Sequence, residues 1–443
     1  MEILKRLKQD KETRNKLILT MVIMFALLIG YRIPLPGINT EYLKAFSEMF
    51  SGSDGVGSFI NAMTGGSFSN MSIFALSIAP YITASILLQL FSVIFPALEA
   101  MQKDGSVGRQ KMERLTYLIG AIVALIEALA LAIGFGKKGL LMPYTWYMVL
   151  YATVIWVAGA CFLIWVGQTI QKKLIGNGIS LILMFNILTT LPGDAVNIYN
   201  SFANGDNVAI KVITVLVMIV AICLVFAYVV VLNNAEKRIH ITNSHKAGVR
   251  MKGANDNVMP LKLNMGGVMP IIFSSSIMSL PVIIGQFAKV DFESTVGKII
   301  MCFNQGNWFN LETPIYTLGI LLYIPLTYFF SYFYAMISFN TKDIADNLRK
   351  SGSVINGIRP GQPTAEYLDK QAKSMLILGT TMLLFIALLP TLISGLFNIN
   401  GLSFGGTTII IIVGVILEMK NTLTAKTSSV AYKSLVRKGG KRK

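Results

Sequence analysis

An uncharged stretch of 44 residues, 55–98, constrains the fold more than any other feature of this chain. Asp54 and Glu99 bound the stretch, and no Asp, Glu, Lys or Arg lies between them. One crossing needs about 20 residues, because a helix rises about 1.5 Å per residue and the hydrocarbon core is about 30 Å thick. Glycines, serines and asparagines at 65–70 interrupt the stretch before a full apolar run begins near Met71. We therefore predict a half-inserted segment followed by one complete span, which favours a pore because only protein or a water-filled cavity can satisfy such a backbone.

The composition of the whole chain also indicates a membrane protein. Of 443 residues, 53% are hydrophobic and 14% charged, and the mean hydropathy is +0.61, which indicates an all-α polytopic membrane protein. Apolar runs of near-spanning length predict ten spans. These are residues 17–35, 71–96, 114–136, 145–171, 179–193, 208–232, 266–287, 314–339, 374–396 and 402–420. We expect the basic segment before the first span to be a cytoplasmic amphipathic N-terminus, 1–16, followed by an uncleaved span.

Basic residues indicate how the chain is oriented. If 55–98 crosses once, the loops on one side collect 32 Lys and Arg residues and the opposite loops collect five. If the stretch crossed twice, every later loop would lie on the other side of the membrane, and the basic residues would be divided less clearly between the two sides. The positive-inside rule then predicts that both termini are cytoplasmic, including a basic tail at 421–443. The net charge of +17 follows from this distribution and requires no nucleic-acid partner.

Two interrupted spans occupy corresponding places in the chain. The second span begins at a Gly/Ser/Asn break and contains Pro80, and the seventh begins at residues 264–270 and contains Pro281. Such pairs indicate a functional site between two repeats, although Gly and Pro are common in membrane helices anyway. An odd number of spans per repeat makes the repeats inverted. We predict two inverted five-helix halves, 17–200 and 201–420.

The sequence contains none of the motifs examined for catalysis or cofactor binding. It has no P-loop, no zinc-protease motif and no nucleophile elbow. His240 and His245 lack acidic or cysteine partners, and three cysteines have no paired spacing. We therefore expect no enzyme activity, metal or cofactor.

One acidic residue, Glu127, lies well inside a predicted span. An ionisable group in a membrane is costly and is usually functional, so Glu127 could be the proton site of a solute transporter. The other interpretation, a polar residue facing an aqueous cleft or neighbouring hydroxyls, is favoured because no second charge lies at matching depth.

Aliphatic pairs at helical spacing are the other feature of the spans. Ile78 and Ile82, and Ile179 and Leu183, each project from one helix face. Such side chains from several helices could form a collar that excludes ions by dewetting, but lipid-facing or core positions explain the spacing equally well.

Two long basic loops, 233–265 and 340–373, lie on the predicted cytoplasmic side. They could bind anionic lipid, or dock a large partner. Docking is favoured by their length and by Arg359, which glycine and proline frame in a turn at 357–361.

Seven motifs in order along nearly the whole chain resemble the SecY (Sec61α) family of protein-conducting channels. They are 32–38 (RIPLPGI), 72–85 (SIFALSIAPYITAS), 176–180 (GNGIS), 260–270 (PLKLNMGGVMP), 345–352 (ADNLRKSG), 357–361 (GIRPG) and 404–407 (FGGT). The resemblance implies ten transmembrane helices in two inverted halves around a pore that opens sideways to lipid between spans 2–3 and 7–8. It also implies a short re-entrant helix near 57–70, the plug, which seals the pore.

The resemblance further implies roles for individual residues. The implied pore ring is Ile78, Ile82, Ile179, Leu183, Ile272 and Ile411. The implied plug residues are Phe59, Ile60, Ala62, Met63, Gly65 and Gly66. The implied lateral gate comprises Thr83, Gln89, Glu127, Ser274, Ser275 and Ser276. The implied docking residues are Arg238, Arg250, Lys252, Arg349, Lys350 and Arg359.

Partners and location are likewise implied by the resemblance. It implies a bacterial plasma-membrane channel that moves unfolded secretory polypeptides, recognises signal sequences and releases spans into lipid. The implied partners are SecE and SecG subunits, the SecA motor ATPase and the ribosome. Two other functions remain as alternatives, an ion-coupled solute transporter that uses Glu127 and a purely structural scaffold.

Overall fold

The computed structural model describes residues 11–39, 41–44, 61, 63–202, 208–243, 257–287, 294–305, 308–309, 314–397 and 406–439. These residues form helices and one small sheet. In the first half of the chain the helices are α1 (Lys11–Arg32), α2 (Ala79–Ile94), α3 (Pro96–Lys103), α4 (Gly105–Phe135), α5 (Trp146–Lys173) and α6 (Gly178–Phe202). A short π-helical stretch, Gly136–Leu140, follows α4.

The second half begins with α7 (Val208–Asn234), which leads into β1 (Glu236–Asn243) and β2 (Asn257–Lys262). The remaining elements are α8 (Met269–Phe287), α9 (Thr295–Met301), a 3-10 turn (Pro314–Thr317), α10 (Leu318–Ser338), α11 (Thr341–Lys350), β3 (Ser353–Ile355), α12 (Gln362–Phe397) and α13 (Gly406–Gly439). The strands pair antiparallel in the order β2-β1-β3.

Each predicted span coincides with a helix, and the polytopic helical class is confirmed. Six helices are long and apolar enough to cross a membrane, and a seventh crossing results if the bent pair α2 and α3 is one span. Three shorter apolar stretches, Gly178–Gly193, Ile222–Asn234 and Met269–Val282, coincide with the fifth, sixth and seventh predicted spans. Length and composition therefore support six or seven crossings among the described residues.

The second span differs from its predicted bounds at both ends. Its helix begins at Ala79 instead of Met71, because residues 65–78 form turns and Pro80 starts the helix. It ends at Ile94, where the chain bends by 109° into α3. Pro96 explains the bend, since proline forces the preceding residue out of the helical region and Phe95 has φ −102° and ψ 110°.

The turns at 65–78 are held by protein on several sides. Leu35 N donates to Met71 O at 3.1 Å, and Trp156 Nε1 donates to Ser72 O at 3.1 Å. Gly159 lets this backbone approach α5, because a Cβ at position 159 would lie 2.3 Å from Ile73 O. The irregular segment therefore satisfies its polar backbone internally, as membrane depth requires.

Buried apolar residues form several separate clusters among the described residues. One cluster, which includes Leu35, Ala124 and Trp156, draws only on the first half of the chain. Another, which includes Val229 and Ile410, draws only on the second half. The largest cluster takes residues from both halves, so it lies where they meet.

Candidate functional site

The six predicted ring residues come together in this largest cluster, which we call the central cluster. They lie at the start of α2 and on α6, α8 and α13, and none is more than 8% exposed. These exposures do not fit lipid-facing positions. The central cluster places all six among other buried apolar side chains that come from both halves of the chain. The ring residues are Ile78, Ile82, Ile179, Leu183, Ile272 and Ile411.

Part of the predicted plug contacts the same cluster. Met63 is buried in it, and Gly65 and Gly66 adopt φ values of +66° and +78°, which favour glycine. Phe59, Ile60 and Ala62 lie outside the described residues. Met63 of the predicted plug therefore packs within the central cluster.

Two polar residues of α6 contact the predicted plug, and sequence reasoning missed both. Asn186 Nδ2 donates to Met63 O at 2.9 Å and to Ser77 Oγ at 3.0 Å. Thr189 Oγ1 lies 3.3 Å from Gly65 O, and its shorter hydrogen bond is to Asn186 O at 2.6 Å. A Cβ at Gly65 would lie only 3.0 Å from the Asn186 Cα. The signal available in the sequence was an asparagine within an apolar helix, because polar side chains in membrane helices usually bind another segment. The structure shows that this asparagine is fully buried.

The predicted gate residues lie on three helices. Thr83 and Gln89 are on α2, Glu127 is on α4, and the serines 274–276 are on α8, which contacts α4. The hydroxyls of Thr83, Ser274 and Ser276 donate to carbonyls of their own helices at 3.2, 2.8 and 2.7 Å. Most of the predicted gate hydroxyls therefore stabilise their own helix instead of bridging two helices.

Two gate residues differ from this pattern. Gln89 Nε2 donates to Ser85 Oγ at 3.2 Å, while its Oε1 is enclosed without a hydrogen bond. The Ser275 hydroxyl is also enclosed without a partner. Gln89 Oε1 on α2 and Ser275 Oγ on α8 therefore have no hydrogen bond to a described residue.

Glu127 is half-buried on α4. No ion pair joins it to any residue within the described ranges. The side chain therefore lacks the cation that a coupled proton or ion site in a membrane usually has.

The predicted docking loops form one unit, which the sequence analysis treated as two. Strand β1 of the first loop pairs with β3 of the second, with Ile241 opposite Ile355. Lys237 Nζ donates to Gln371 Oε1 at 2.6 Å, and Thr242 Oγ1 donates to Asn356 Oδ1 at 3.0 Å. A buried apolar cluster supports the sheet and consists of Ile239, Leu261, Ile355 and Leu368.

The predicted docking cations that the structure describes are exposed on or beside this sheet. Arg238 pairs with Glu236 at 3.1 Å, Arg349 pairs with Asp346 at 3.4 Å, and Lys350 ends α11. Arg250 and Lys252 lie outside the described residues.

Arg359 occupies the tight turn that its glycines predict. Gly357 and Gly361 have φ values of +80° and +105°, and Thr364 Oγ1 donates to Arg359 O at 2.8 Å. The Arg359 side chain is exposed, with no ion pair to a described residue. A fixed backbone therefore presents this guanidinium to solvent.

Within the described residues, no group of three or more His, Cys, Asp and Glu could hold a metal ion. Cys161, Cys223 and Cys302 are free thiols.

Comparison with known proteins identifies the family. The family model described as SecY matches residues 72–420. The protein translocase subunit SecY of Staphylococcus carnosus is 33% identical and covers 96% of this chain and 97% of its own length. The same subunit of Aquifex aeolicus is 34% identical and covers 99% of this chain and 100% of its own.

Solved structures agree in fold. The structure titled "The structure of a protein conducting channel" has a TM-score of 0.64 at 18% identity and covers 95% of this chain and 94% of its own. Sec61 in the canine ribosome-channel complex from the endoplasmic reticulum has a TM-score of 0.60 at 18% identity, with coverages of 95% and 94%. The relatives of known sequence and the family model together establish that this chain belongs to the SecY family.

Proposed function

We propose that this chain is the channel-forming subunit of a protein translocase, which passes unfolded polypeptides across a membrane and releases apolar segments sideways into lipid. The observation that carries the proposal is the central cluster, to which four helices contribute six buried aliphatic side chains. Membership of the SecY family supports the same function.

An aliphatic ring suits this task for a physical reason. Branched apolar side chains exclude water and ions from a narrow constriction by dewetting. They also form no strong bond with any one substrate side chain, so varied sequences can pass. The channel performs no covalent chemistry, and a docked ATPase, an elongating ribosome or the membrane potential must supply the energy.

We propose ten crossings arranged as two inverted five-helix halves, with both termini in the cytoplasm of a bacterial plasma membrane. The helix at each predicted span and the separate buried clusters of the two halves support this arrangement. The distribution of basic residues supports the orientation.

The plug and lateral gate are proposed on the positions of their residues. Met63 lies in the same buried cluster as the proposed ring residues, and the glycine turn at 65–66 follows it. The gate would separate α2 and α4 from α8 and α10, because α4 contacts α8 while α8 packs along α10. Deletion of residues 57–68 should raise ion leakage through the reconstituted channel, and an unchanged conductance would contradict a plug.

The exposed sheet and the Arg359 turn are proposed as the docking surface for SecA and the ribosome. The similar Sec61 structure is described as part of a ribosome-channel complex, which supports a ribosome as partner. SecE and SecG are proposed as accompanying subunits from the family alone.

Disulfide crosslinking tests the proposed function directly. In a variant whose three cysteines are changed to alanine, one cysteine is placed at Ile82 or Ile272, and a stalled secretory chain carries another. Crosslinks are expected at both ring positions. The matched control is a cysteine at Ile122, which is 58% exposed on α4 and should not crosslink. Absence of ring crosslinks, or equal crosslinking at Ile122, would support a scaffold without a conducting pore.

A further inference from the structure

We infer that Asn186 is a latch that holds the plug in place. When the plug leaves, the Tyr31 hydroxyl donates a hydrogen bond to the released Asn186 side chain. The inference rests on the proposed plug and assigns it a specific holding residue. The latch consists of Asn186, Ser77 and Tyr31 together with the carbonyl of Met63.

The closed contact is a double hydrogen bond from one buried amide. Asn186 is 0% exposed, and its Nδ2 donates both protons, to Met63 O at 2.9 Å and to Ser77 Oγ at 3.0 Å. Met63 belongs to the plug and Ser77 directly precedes the ring residue Ile78. One side chain of α6 therefore joins the plug to the start of α2.

Ser77 makes its contact with Asn186 although its own backbone conformation is strained. Its φ is +50°, a region that residues other than glycine seldom occupy. The serine supplies a hydroxyl that a glycine there could not, and that hydroxyl accepts from Asn186. Strain of this kind persists only where the surrounding structure fixes it.

Two unused polar atoms lie beside the latch. Asn186 Oδ1 and the Tyr31 hydroxyl are both enclosed without a hydrogen bond to any described residue. The Tyr31 hydroxyl lies next to Asn186 and Ser77, although its geometry is not that of a hydrogen bond. An acceptor and a donor are thus adjacent but unpaired while the plug is in place.

This arrangement makes the latch a two-state element. When Met63 moves away, the amide loses that partner, and a rotation of the Asn186 side chain breaks the Ser77 bond and lets Oδ1 accept from the Tyr31 hydroxyl. The closed state gains two hydrogen bonds from Asn186, and the open state gains the one from Tyr31. Substitutions at the two residues should therefore shift the plug in opposite directions.

Basal ion conductance of the reconstituted channel, without a translocating chain, tests this inference. Asn186→Leu removes both closed-state bonds and the open-state bond, a net loss of one hydrogen bond worth about 0.5–1.5 kcal/mol, so it should raise conductance about twofold to tenfold. Ser77→Ala removes one closed-state bond and should raise it by a similar factor, and Tyr31→Phe removes the open-state bond and should lower it. The matched control is Thr190→Val, because the Thr190 hydroxyl on the same helix donates only to Ile187 O at 3.0 Å and its loss should leave conductance unchanged.

A second measurement separates the latch from the plug itself. A cysteine at Met63 in the cysteine-free background is labelled from the external side with a membrane-impermeant thiol reagent. Asn186→Leu should speed labelling, whereas Tyr31→Phe should slow it. If deletion of 57–68 raises conductance but Asn186→Leu and Ser77→Ala change neither readout, the latch is refuted and the plug stands. If Asn186→Leu speeds labelling while deletion leaves conductance unchanged, the latch stands and the plug does not seal.

Discussion

Ile272 provides the sharpest test of the ring, because it is 1% exposed in the central cluster and lies on the proposed gate helix α8. The perturbation is Ile272→Asn in a channel that also lacks residues 57–68. Without the plug, basal conductance reports the ring alone. The matched control is Ile272→Leu, which keeps the volume and the apolar character of the side chain.

The expected effect follows from burial. Full burial of an aliphatic side chain contributes about 1.5–3 kcal/mol, and the asparagine loses this contribution. A buried amide without partners costs about 1–3 kcal/mol more. Water in an open ring would satisfy that amide, so the closed ring loses about 2.5–6 kcal/mol relative to the open one. The leucine control should cost less than about 1.5 kcal/mol.

Single-channel recording in planar bilayers measures the outcome. Because 1.4 kcal/mol is tenfold in an equilibrium, we expect the asparagine variant to conduct at least about tenfold more than the leucine variant. A stalled polypeptide in the pore should suppress that extra conductance, which distinguishes an open ring from a damaged protein. Equal conductance of the two variants would refute an ion seal at this ring.

Three further predictions test separate parts of the molecule. Arg359→Glu should reduce ATPase-driven translocation at least about tenfold, because loss of an arginine at the centre of the proposed interface costs about 2 kcal/mol or more. Lys137→Glu, in a loop proposed to lie on the opposite side of the membrane, should not reduce it; equal loss in both variants would indicate misfolding. Gly159→Ala should lower the free energy of unfolding in detergent by about 1–3 kcal/mol, because the alanine Cβ would lie 2.3 Å from Ile73 O. An unchanged melting temperature would contradict this close approach. Glu127→Gln should leave the translocation rate and its pH profile unchanged within about twofold, since Glu127 has no ion pair with a described residue. Loss of an ion-dependent solute uptake would instead support a transporter.

The sequence predicted the helices well because their signal is local. An apolar run of spanning length or an interrupted stretch such as 55–98 is visible without tertiary information. The six ring positions were placed by family resemblance, since i, i+4 spacing alone does not distinguish a core residue from one that faces lipid. Their meeting in one cluster depends on four helices that are far apart in sequence.

The features that the sequence analysis missed depend on contacts between distant segments. The start of α2 at Ala79 follows from turns that Trp156 and Leu35 hold in place, whereas the apolar run alone suggested a helix from Met71. The β1–β3 pairing joins residues more than 100 positions apart. Asn186 was overlooked because its partner is the backbone of Met63, and a backbone carbonyl carries no sequence signature.

The three-stranded sheet has a mechanical consequence. Both of its loops belong to the second half of the chain, and only residues 263–268 separate the end of β2 from the start of α8. This connection is tightly packed, because Leu263 N donates to Ala235 O at 2.9 Å and a Cβ at Gly379 would lie 2.3 Å from Leu263 O. Because these contacts leave the six-residue connection little slack, we expect a displacement of the sheet to move the helix that carries Ile272.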